Sequence, residues 1–221
     1  MKELSQMRPN PITAFNKVTA FIDWNAQLHL ARIDKKADPL SVARAVFNKI
    51  TKRIANCLFS LEPNKRFTVS MRLYHGWHKG YEPTPNRKAV QRVISEADFA
   101  SISQRANVIF SPEVDFGDRL LAACPERSHS KLAIHLPNTL RAQGKRSLEE
   151  KMVDTALASD VVFSAHQSSS DWILVVAEDD DLIPPLFVAE AMIKTTGSRV
   201  VLLRSRATNN FLKLDNILVN D

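Results

Sequence analysis

The sequence predicts an α/β fold: a three-layer sandwich with a central, mainly parallel sheet. Two short runs, Trp172–Val176 and Arg199–Leu203, are almost wholly apolar and show no polar alternation. Such runs are typical of strands that are buried on both faces, which occur mainly in parallel sheets. Helical patterns separate the apolar runs along the chain, so strands and helices alternate as in βαβ units with right-handed crossovers.

The remaining elements follow from the spacing of apolar residues. Residues 1–16 contain two prolines among polar residues and are predicted to form a flexible arm, whereas residues 17–221 are predicted to form a single domain. A capping box at Ser147 and Glu150 predicts the start of one helix, and Gly197 is expected to cap the end of another. The predicted strands are 17–23, 67–74 with one exposed face, 107–110, 131–136 and 211–219; the predicted helices are 40–61, 86–100, 148–163 and 182–194; residues 111–130 show no period and remain unassigned.

The composition excludes several classes of protein. Hydrophobic residues make up 44% and charged residues 24% of the 221 residues, as in soluble globular proteins. No apolar segment approaches the roughly 18 residues that cross a bilayer, and the N-terminus lacks the apolar core of a signal peptide. Cys57 and Cys124 are too few for a disulfide framework and are expected to be reduced thiols. We therefore expect a cytoplasmic protein without a membrane partner.

The net charge of +6 and the pI near 9.4 favour an anionic partner. Nucleic acid fits this charge, because neutralisation of phosphates supplies most of the non-specific affinity of proteins for polynucleotides. Many basic proteins bind no nucleic acid, however, so charge alone is only a modest indication. A homodimer is also left open.

Acidic residues directly follow the apolar run Trp172–Val176. Glu178, Asp179, Asp180 and Asp181 stand at the carboxyl end of a predicted parallel strand, where open α/β sheets bind their ligands. Like charges at such close spacing raise one another's pKa, so a cation is their natural partner. The alternative is a solvated acidic turn before a helix, whose N-terminus favours negative charge.

Two further acids are candidates for the same centre. Asp23 ends a predicted strand, and Asp154 lies between the apolar positions Val153 and Leu157 of a predicted helix. A carboxylate so near the buried side of its helix needs a partner, because an unpaired buried charge is costly. That partner is either Lys151, in an intrahelical pair, or a metal ion.

Other chemistries lack their motifs. The chain has five glycines and contains no G-x-G-x-x-G, G-x-x-x-x-G-K-[ST] or G-x-S-x-G pattern. His75 and His78 have the spacing of a metal-binding pair, but no further Cys or His stands at ligand spacing, and a polar loop is the simpler interpretation. The aromatic and basic residues of the same loop are also suited to stacking on a single nucleic-acid strand.

Three segments resemble motifs of one family. Residues 149–160 resemble the E-K-G-x-D-V-x-L-A-x-D segment of NYN domains, and residues 179–184 resemble their S-G-D-S-D-F-x-P segment. Residues 21–23 are similar to the F-I-D that opens those domains. The similarity extends over residues 17–204 and is most specific in the last third of the chain.

NYN domains have the PIN-like nuclease fold, so the resemblance implies a metal-dependent nuclease that acts on RNA more often than on DNA. The implied ion is Mg²⁺ or Mn²⁺, which prefers carboxylate and phosphate oxygens. One ion would activate the attacking water, and a second, about 4 Å away, would stabilise the leaving oxygen. The residues implied to be catalytic and to bind metal are Asp23, Asp154, Asp179 and Asp181. The residues expected to bind substrate are Asn25, Lys145, Arg146 and Lys151.

The chain departs from the family pattern at three places, and two alternatives stay open. Ala177-Glu178 replaces a Ser-Gly pair, Met152 replaces a glycine, and Ala26 stands where the family has asparagine. The bulky, charged Glu178 favours a PIN-like module that binds nucleic acid or a protein partner without cutting. The third hypothesis is a metal-dependent transferase that holds a nucleotide sugar through the acidic turn, although no nucleotide-pocket motif accompanies that turn.

Overall fold

Strands and helices alternate along the chain as the sequence predicts. The computed structural model describes residues 15–31, 37–122, 136, 138–143, 147–167, 170–193, 197–205 and 211–213. The elements are, in chain order, β1 (Asn16–Asp23), α1 (Trp24–Leu30), α2 (Pro39–Leu61), β2 (Phe67–Tyr74), β3 (His78–Lys79), β4 (Glu82–Pro83), α3 (Pro85–Glu96), β5 (Val108–Phe116), β6 (Leu140–Gln143), β7 (Ser147–Glu150), α4 (Val153–Gln167), β8 (Trp172–Val176), a 3-10 turn (Asp180–Leu182), α5 (Ile183–Met192), β9 (Arg199–Leu203) and β10 (Phe211–Lys213).

A six-stranded sheet forms the centre of the fold, with the strand order β10-β9-β8-β1-β2-β5. The strands from β9 to β5 are parallel, and β10 pairs antiparallel with β9 at one edge. The chain proceeds from β1 to β2 and β5 on one side, and then crosses to β8 and β9 on the other. The winding therefore reverses between β1 and β8, which is where open α/β sheets leave a crevice at the carboxyl ends of their strands.

Two hydrophobic clusters cover the two faces of the sheet. On one face, Val46 of α2 and Val90 of α3 belong to a cluster with the sheet residues. On the other face, Leu157 of α4 and Leu186 of α5 do the same. Successive residues of β8 contribute alternately to the two clusters, and the whole strand is buried. The predicted α/β class and its three-layer arrangement are confirmed.

Strand β2 is more deeply buried than its alternating pattern indicates. The prediction of one exposed face is wrong for the second half of the strand, where Arg72 and Tyr74 are both buried. Arg72 Nε donates to the carboxylate of Asp160 in α4 at 3.0 Å, and the Tyr74 hydroxyl donates to the same carboxylate at 2.7 Å. Because α4 brings a buried acceptor, these polar side chains are satisfied inside the protein.

Residues 147–150 form a strand rather than the start of a helix. β7 pairs antiparallel with β6, and α4 begins only at Val153. The predicted capping box is therefore wrong, since the Glu150 carboxylate accepts a hydrogen bond from the Gly76 N–H instead. Met152, with a φ of 68°, turns the chain from the hairpin into the helix.

Several other boundaries differ from the predicted ones. α3 ends at Glu96, earlier than predicted, and α5 begins after a 3-10 turn and ends at Met192. Gly197, with a φ of 90°, belongs to the turn before β9, and the C-cap of α5 is Ile193 instead. β5 continues to Phe116, through residues that the pattern left unassigned. The predictions for residues 1–14, 123–135 and 214–221 fall outside the described part of the chain.

Cys57 of α2 is a free thiol, as predicted, and it is buried. Burial raises its pKa to about 12, so the thiol stays protonated near neutral pH. Cys124 falls in a range that the structure does not describe. None of the described helices has the length and apolar character needed to cross a bilayer.

A candidate carboxylate centre

A cleft of about 530 Å³ opens at the carboxyl ends of β1 and β8, where the winding of the sheet reverses. Its lining residues are Asp23, Asn25, Ala26, His29, Glu150, Asp154, Glu178, Asp179 and Asp180. Six of these nine residues are acidic, and they come from the end of β1, the segment around the start of α4, and the loop after β8. Acids that are far apart in the sequence thus meet in one negatively charged cleft.

Asp23 is the buried acid of this cleft, with 8% of its surface exposed. Its Oδ1 accepts a hydrogen bond from the Ala26 N–H at 3.0 Å and so caps α1. Burial raises the pKa of Asp23 to about 6, and the negative charges of Asp154 and Glu150 act in the same direction. The Ala26 hydrogen bond and the nearby His75 lower the pKa without cancelling this rise.

Asp154 stands in the first turn of α4 and lines the same cleft. The prediction that it lies near the buried side of its helix is wrong, because the helix turns this residue towards the open cleft and leaves it exposed. Partial burial of its carboxyl group in the cleft raises its pKa, as do the negative charges of Asp179, Glu150 and Asp181. Asp154 therefore has other acids as its electrostatic neighbours.

The acids of the turn after β8 have different surroundings. Asp179 Oδ1 accepts the Asp181 N–H at 2.9 Å and caps the 3-10 turn. Asp180 forms a 2.5 Å ion pair with Arg204. Asp181 is exposed and stands beside the cleft rather than in its lining, although its charge reaches the cleft acids. Of the acids in this turn, Asp179 is the predicted ligand that faces the cleft.

Glu178 lines the cleft and is held at its wall. Its Oε1 accepts the Ser205 N–H, just beyond β9, at 2.7 Å. It also acts on Arg53 of α2: burial lowers the pKa of that guanidinium, and the negative charge of Glu178 opposes the change. Glu178 thus has partners of its own at the edge of the cleft.

Glu150 is a cleft residue that sequence reasoning missed. It ends β7, and its Oε1 accepts the Gly76 N–H and contacts His75 Nδ1. Burial alone would raise the pKa of Glu150, but the hydrogen bond and charge of His75, together with the Gly76 N–H, lower it overall. The signal that could have revealed the hairpin is Gly144 between two short segments of alternating residues. His29, which also lines the cleft, has no comparable signal.

The residues expected to bind substrate have different positions. Asn25 lines the cleft. Lys151 is exposed and forms an ion pair with Glu149 at 2.7 Å, rather than the intrahelical pair with Asp154 that was one of the two alternatives. The other two expected substrate ligands, Lys145 and Arg146, lie outside the described residues.

His75 and His78 are directed to separate partners. His75 contacts the cleft acid Glu150, whereas His78 Nδ1 lies 3.7 Å from Asp118. Trp77 between them is buried and therefore cannot stack on a nucleic-acid base. Of these residues, His75 is therefore the one that contacts an acid of the cleft.

In the described ranges, no three His, Cys, Asp or Glu side chains surround a common point as the ligands of one ion would. The four predicted aspartates nevertheless interact electrostatically. The negative charges of Asp179 and Asp181 raise the pKa of Asp154, and the charge of Asp154 raises the pKa of Asp23. Asp23 and Asp179 each hold one carboxylate oxygen against a backbone N–H. The cleft therefore presents several acidic side chains to one region, but they do not surround a single point as a complete set of metal ligands would.

Comparison with known proteins gives no match to a protein family, a curated protein or a solved structure. What the cleft can do follows from its own residues.

Proposed function

We propose that the chain is a metal-dependent nuclease that hydrolyses phosphodiester bonds, with RNA favoured over DNA. The observation that carries this proposal is the convergence of acids from distant chain segments on one cleft at the reversal point of the sheet. The charge on Asp23 is unfavourable where it lies, because its pKa is raised to about 6. Carboxylates whose ionised form is disfavoured by burial and by mutual repulsion are typical of functional sites.

The donor set suits Mg²⁺ or Mn²⁺ in its chemistry. Such ions bind a few carboxylates and fill their remaining positions with water and substrate phosphate, so they need no closed protein cage. Asp23, Asp154 and Asp179 would hold the ion, with Asp181 as a further ligand from the same turn. The Oδ2 atoms of Asp23 and Asp179 take no part in the capping hydrogen bonds. A divalent cation would also offset the repulsion that raises the pKa values of Asp23 and Asp154.

Each residue then has a defined role. When bound, the ion supplies a Lewis acid for the scissile phosphate and lowers the pKa of a bound water. Asp23 is fixed by burial and by its capping bond to Ala26, so it sets one ligand position. Asp154 is exposed with a raised pKa, which suits a carboxylate that orients the attacking water and accepts its proton. Asn25, at the start of α1, offers amide donors to the substrate.

Positive charge for a polynucleotide lies on the α1–α2 side of the cleft. Lys49 of α2 donates to the Leu30 carbonyl at 3.3 Å, and Arg53 donates to Gln27 Oε1 at 2.6 Å, so both cations flank α1. His29 of α1 lines the cleft itself. Lys49 and Arg53, which contact α1, are suited to neutralise phosphates of a bound polynucleotide. The preference for RNA rests on the resemblance to NYN domains.

A second function, binding of nucleic acid or a protein partner without cleavage, is favoured by two observations. The first is that no three prospective ligands of the described chain meet at one point. The second is that Glu178 lines the cleft at the position where the NYN pattern has glycine. In that case the acids would shape a binding surface and perform no chemistry.

Cleavage of labelled single-stranded RNA and DNA in Mg²⁺ or Mn²⁺ separates the two functions. The native protein should cut RNA, and the double variant Asp179→Asn, Asp181→Asn should bind RNA without cutting it. Glu113→Gln is a matched control, because Glu113 is an exposed acid on the distant edge strand β5 and should leave cleavage unchanged. Binding without cleavage by all three proteins would favour the second function, and absence of binding would exclude the nuclease and leave, of the second function, the binding of a protein partner.

A further inference from the structure

The β3–β4 hairpin carries the most exposed large apolar side chain among the described residues. Lys79 of β3 pairs with Glu82 of β4, so Gly80 and Tyr81 form a two-residue turn. Such a turn needs a positive φ at its first residue, and Gly80 supplies it with a φ of 63°. Tyr81 is 68% exposed at the tip of this turn. The fold therefore presents an aromatic side chain to the solvent instead of packing it into a core.

The turn is fixed by a neighbouring segment of the chain. The Gly80 N–H donates to Asn138 Oδ1 at 3.2 Å, and the Gly80 carbonyl accepts the Asn138 N–H at 2.6 Å. One residue further on, the Thr139 hydroxyl accepts the His78 N–H at 3.1 Å, and both of these residues are buried. Because the backbone of the turn is already ordered, a ligand that contacts Tyr81 loses little free energy in ordering it.

Two exposed cations lie beside this turn. Arg141 Nε donates to the Asn138 carbonyl at 3.1 Å, which places the guanidinium next to the residue that fixes the turn. Lys79 directly precedes the turn, and both cations are exposed. The nearby acids are Glu82, opposite Lys79, and Glu149, which is opposite Arg141 in β7 but forms its ion pair with a different cation. The exposed ring therefore has positive charge close to it.

The hairpin also lies close to the acidic cleft. β6 begins at Leu140, two residues after Asn138, and Leu140 is opposite the cleft residue Glu150 in the β6–β7 pair. Two residues of chain span at most about 7 Å, and opposite residues of an antiparallel pair lie at most about 5.5 Å apart. The Cα atoms of Asn138 and Glu150 are therefore within about 13 Å of each other. Tyr81 is thus within reach of a strand that occupies the cleft.

An exposed tyrosine ring beside cations suits an unpaired nucleic-acid base. Every base has a π-face that can stack on an aromatic ring, and nearby cations neutralise the adjacent phosphates. The bases inside a duplex are already stacked on both faces, so the ring offers them no further contact. Since Trp77 of the same loop is buried, Tyr81 is the aromatic side chain that a base can reach.

We propose that Tyr81 is a stacking platform for an unpaired base of a polynucleotide bound at the cleft, and that Arg141 and Lys79 contact the phosphates next to that base. The inference rests on the proposed function, and it names the substrate as a single strand. A protein partner, for which exposed tyrosines are also suited, is the alternative that the experiment separates.

Binding of a labelled oligouridylate in Mg²⁺ tests the stacking platform. Each variant is made in the full chain that carries Asp179→Asn and Asp181→Asn, so that the strand stays intact. Tyr81→Leu keeps an apolar side chain without a π-face and should bind the oligouridylate about 5–150-fold more weakly than this parent chain. Tyr81→Phe keeps the ring and should bind like the parent. An equal loss in both variants would exclude stacking.

Phe59→Leu is the matched control. Phe59 is 37% exposed and has Arg105 over its ring at 4.5 Å, so it also combines an exposed ring with a cation. It lies in the last turn of α2, which leads to the start of β2 at the end of the sheet opposite the cleft. This variant should bind the oligouridylate like the parent chain, and thermal unfolding shows that each variant is folded.

Two further measurements separate stacking from contacts with phosphate. The same strand annealed to oligoadenylate should bind Tyr81→Leu and the parent chain equally, since its bases are already stacked. Arg141→Gln should reduce the slope of log K against log[salt] by about 0.7, the value for one phosphate contact of a single strand, whereas Tyr81→Leu should leave the slope unchanged. Equal losses of Tyr81→Leu on single strand and duplex would contradict the recognition of an unpaired base.

The outcomes distinguish this inference from the proposed function. If the native chain cuts RNA and Tyr81→Leu binds the oligouridylate like its parent, the inference is overturned and the nuclease proposal stands. If Tyr81→Leu loses binding as expected but the native chain does not cut RNA, the inference stands and the nuclease proposal falls. If the chain binds neither RNA nor DNA, both are overturned, and the exposed ring is left to a protein partner.

Discussion

Two of the buried carboxylates in this fold have opposite surroundings. Asp160 of α4 is fully buried and accepts hydrogen bonds from Arg72 Nε at 3.0 Å, the Tyr74 hydroxyl at 2.7 Å and the Leu121 N–H at 2.7 Å. Asp23, at the end of β1, accepts one backbone N–H and faces other acids across the cleft. One carboxylate is surrounded by donors and a cation, and the other by like charges.

Asp160 therefore stabilises the fold, whereas the negative charge of Asp23 is unfavourable in its position. Arg72 also donates to the Arg119 carbonyl, so Asp160 connects β2, α4 and the segment after β5. Burial and the charge of Asp160 raise the pKa of Tyr74 well above its usual value, which keeps its hydroxyl a donor. This fold can surround a buried carboxylate with donors, and Asp23 has only a single backbone N–H donor and acidic neighbours; the cation that we propose would offset this repulsion.

The largest effect on stability is expected from Asp160→Asn. This change leaves the buried Arg72 without its countercharge and should lower the free energy of unfolding by about 3–5 kcal/mol, measured by urea denaturation. Asp115→Asn is the control: Asp115 lies 3.6 Å from the same guanidinium but is 73% exposed, so its loss should change stability by less than about 1 kcal/mol. Equal effects of the two variants would show that Asp160 has no special structural role.

Asp23→Asn should raise the free energy of unfolding, whereas Asp160→Asn lowers it. Asparagine caps a helix as well as aspartate does, and it removes a buried charge whose pKa is raised from 3.8 to about 6. The metal-free variant should be more stable than the native protein by about 2–3 kcal/mol near neutral pH, since each pKa unit corresponds to 1.36 kcal/mol. Its RNA cleavage should be lost. A less stable variant would mean that the Asp23 charge is favourable where it lies.

The difference in stability between the native protein and Asp23→Asn should depend on pH. Because the pKa of Asp23 is higher in the folded than in the unfolded chain, the folded state binds the proton more tightly. The native stability should therefore fall, relative to Asp23→Asn, as the pH rises from about 4 to about 6. Below that range both states carry the proton, and the two proteins should be equally stable. Urea unfolding of the metal-free proteins across this range checks the prediction, which a pH-independent difference would contradict.

The smallest effect on stability is expected from Asp154→Asn. Asp154 is exposed, so the loss of its favourable position at the N-terminus of α4 and the relief of repulsion from Asp179 nearly offset each other. The free energy of unfolding should change by less than about 1 kcal/mol, whereas RNA cleavage should be abolished. Loss of cleavage that follows a large loss of stability would assign Asp154 a structural role instead.

The predictions that succeeded depend on burial along a strand. β8 and β9 are apolar on both faces, so the parallel sheet follows from their composition. Once the sheet is parallel, acids that follow its strands must lie at one edge. For this reason Asp23 and Asp179 could be placed in the same cleft from the sequence alone.

The predictions that failed depend on contacts distant in the sequence. Ser147 and Glu150 have the spacing of a capping box, but Glu150 is satisfied by Gly76, 74 positions earlier in the chain, and the segment pairs as a strand. Arg72 has the alternation of an exposed residue, yet its buried acceptor Asp160 lies 88 positions later. Local periodicity carries no information about such partners.

The most direct measurement is the melting temperature of the metal-free protein as Mn²⁺ is added, for the native chain and for the double variant Asp23→Asn, Asp179→Asn. A ligand that binds only the folded state raises the free energy of unfolding by RT ln(1 + [L]/Kd), where [L] is the concentration of free ligand. The native melting temperature should rise steadily with Mn²⁺ concentration, and that of the variant should stay constant. If the native protein shows no rise, or if both proteins rise equally, these carboxylates do not share a cation.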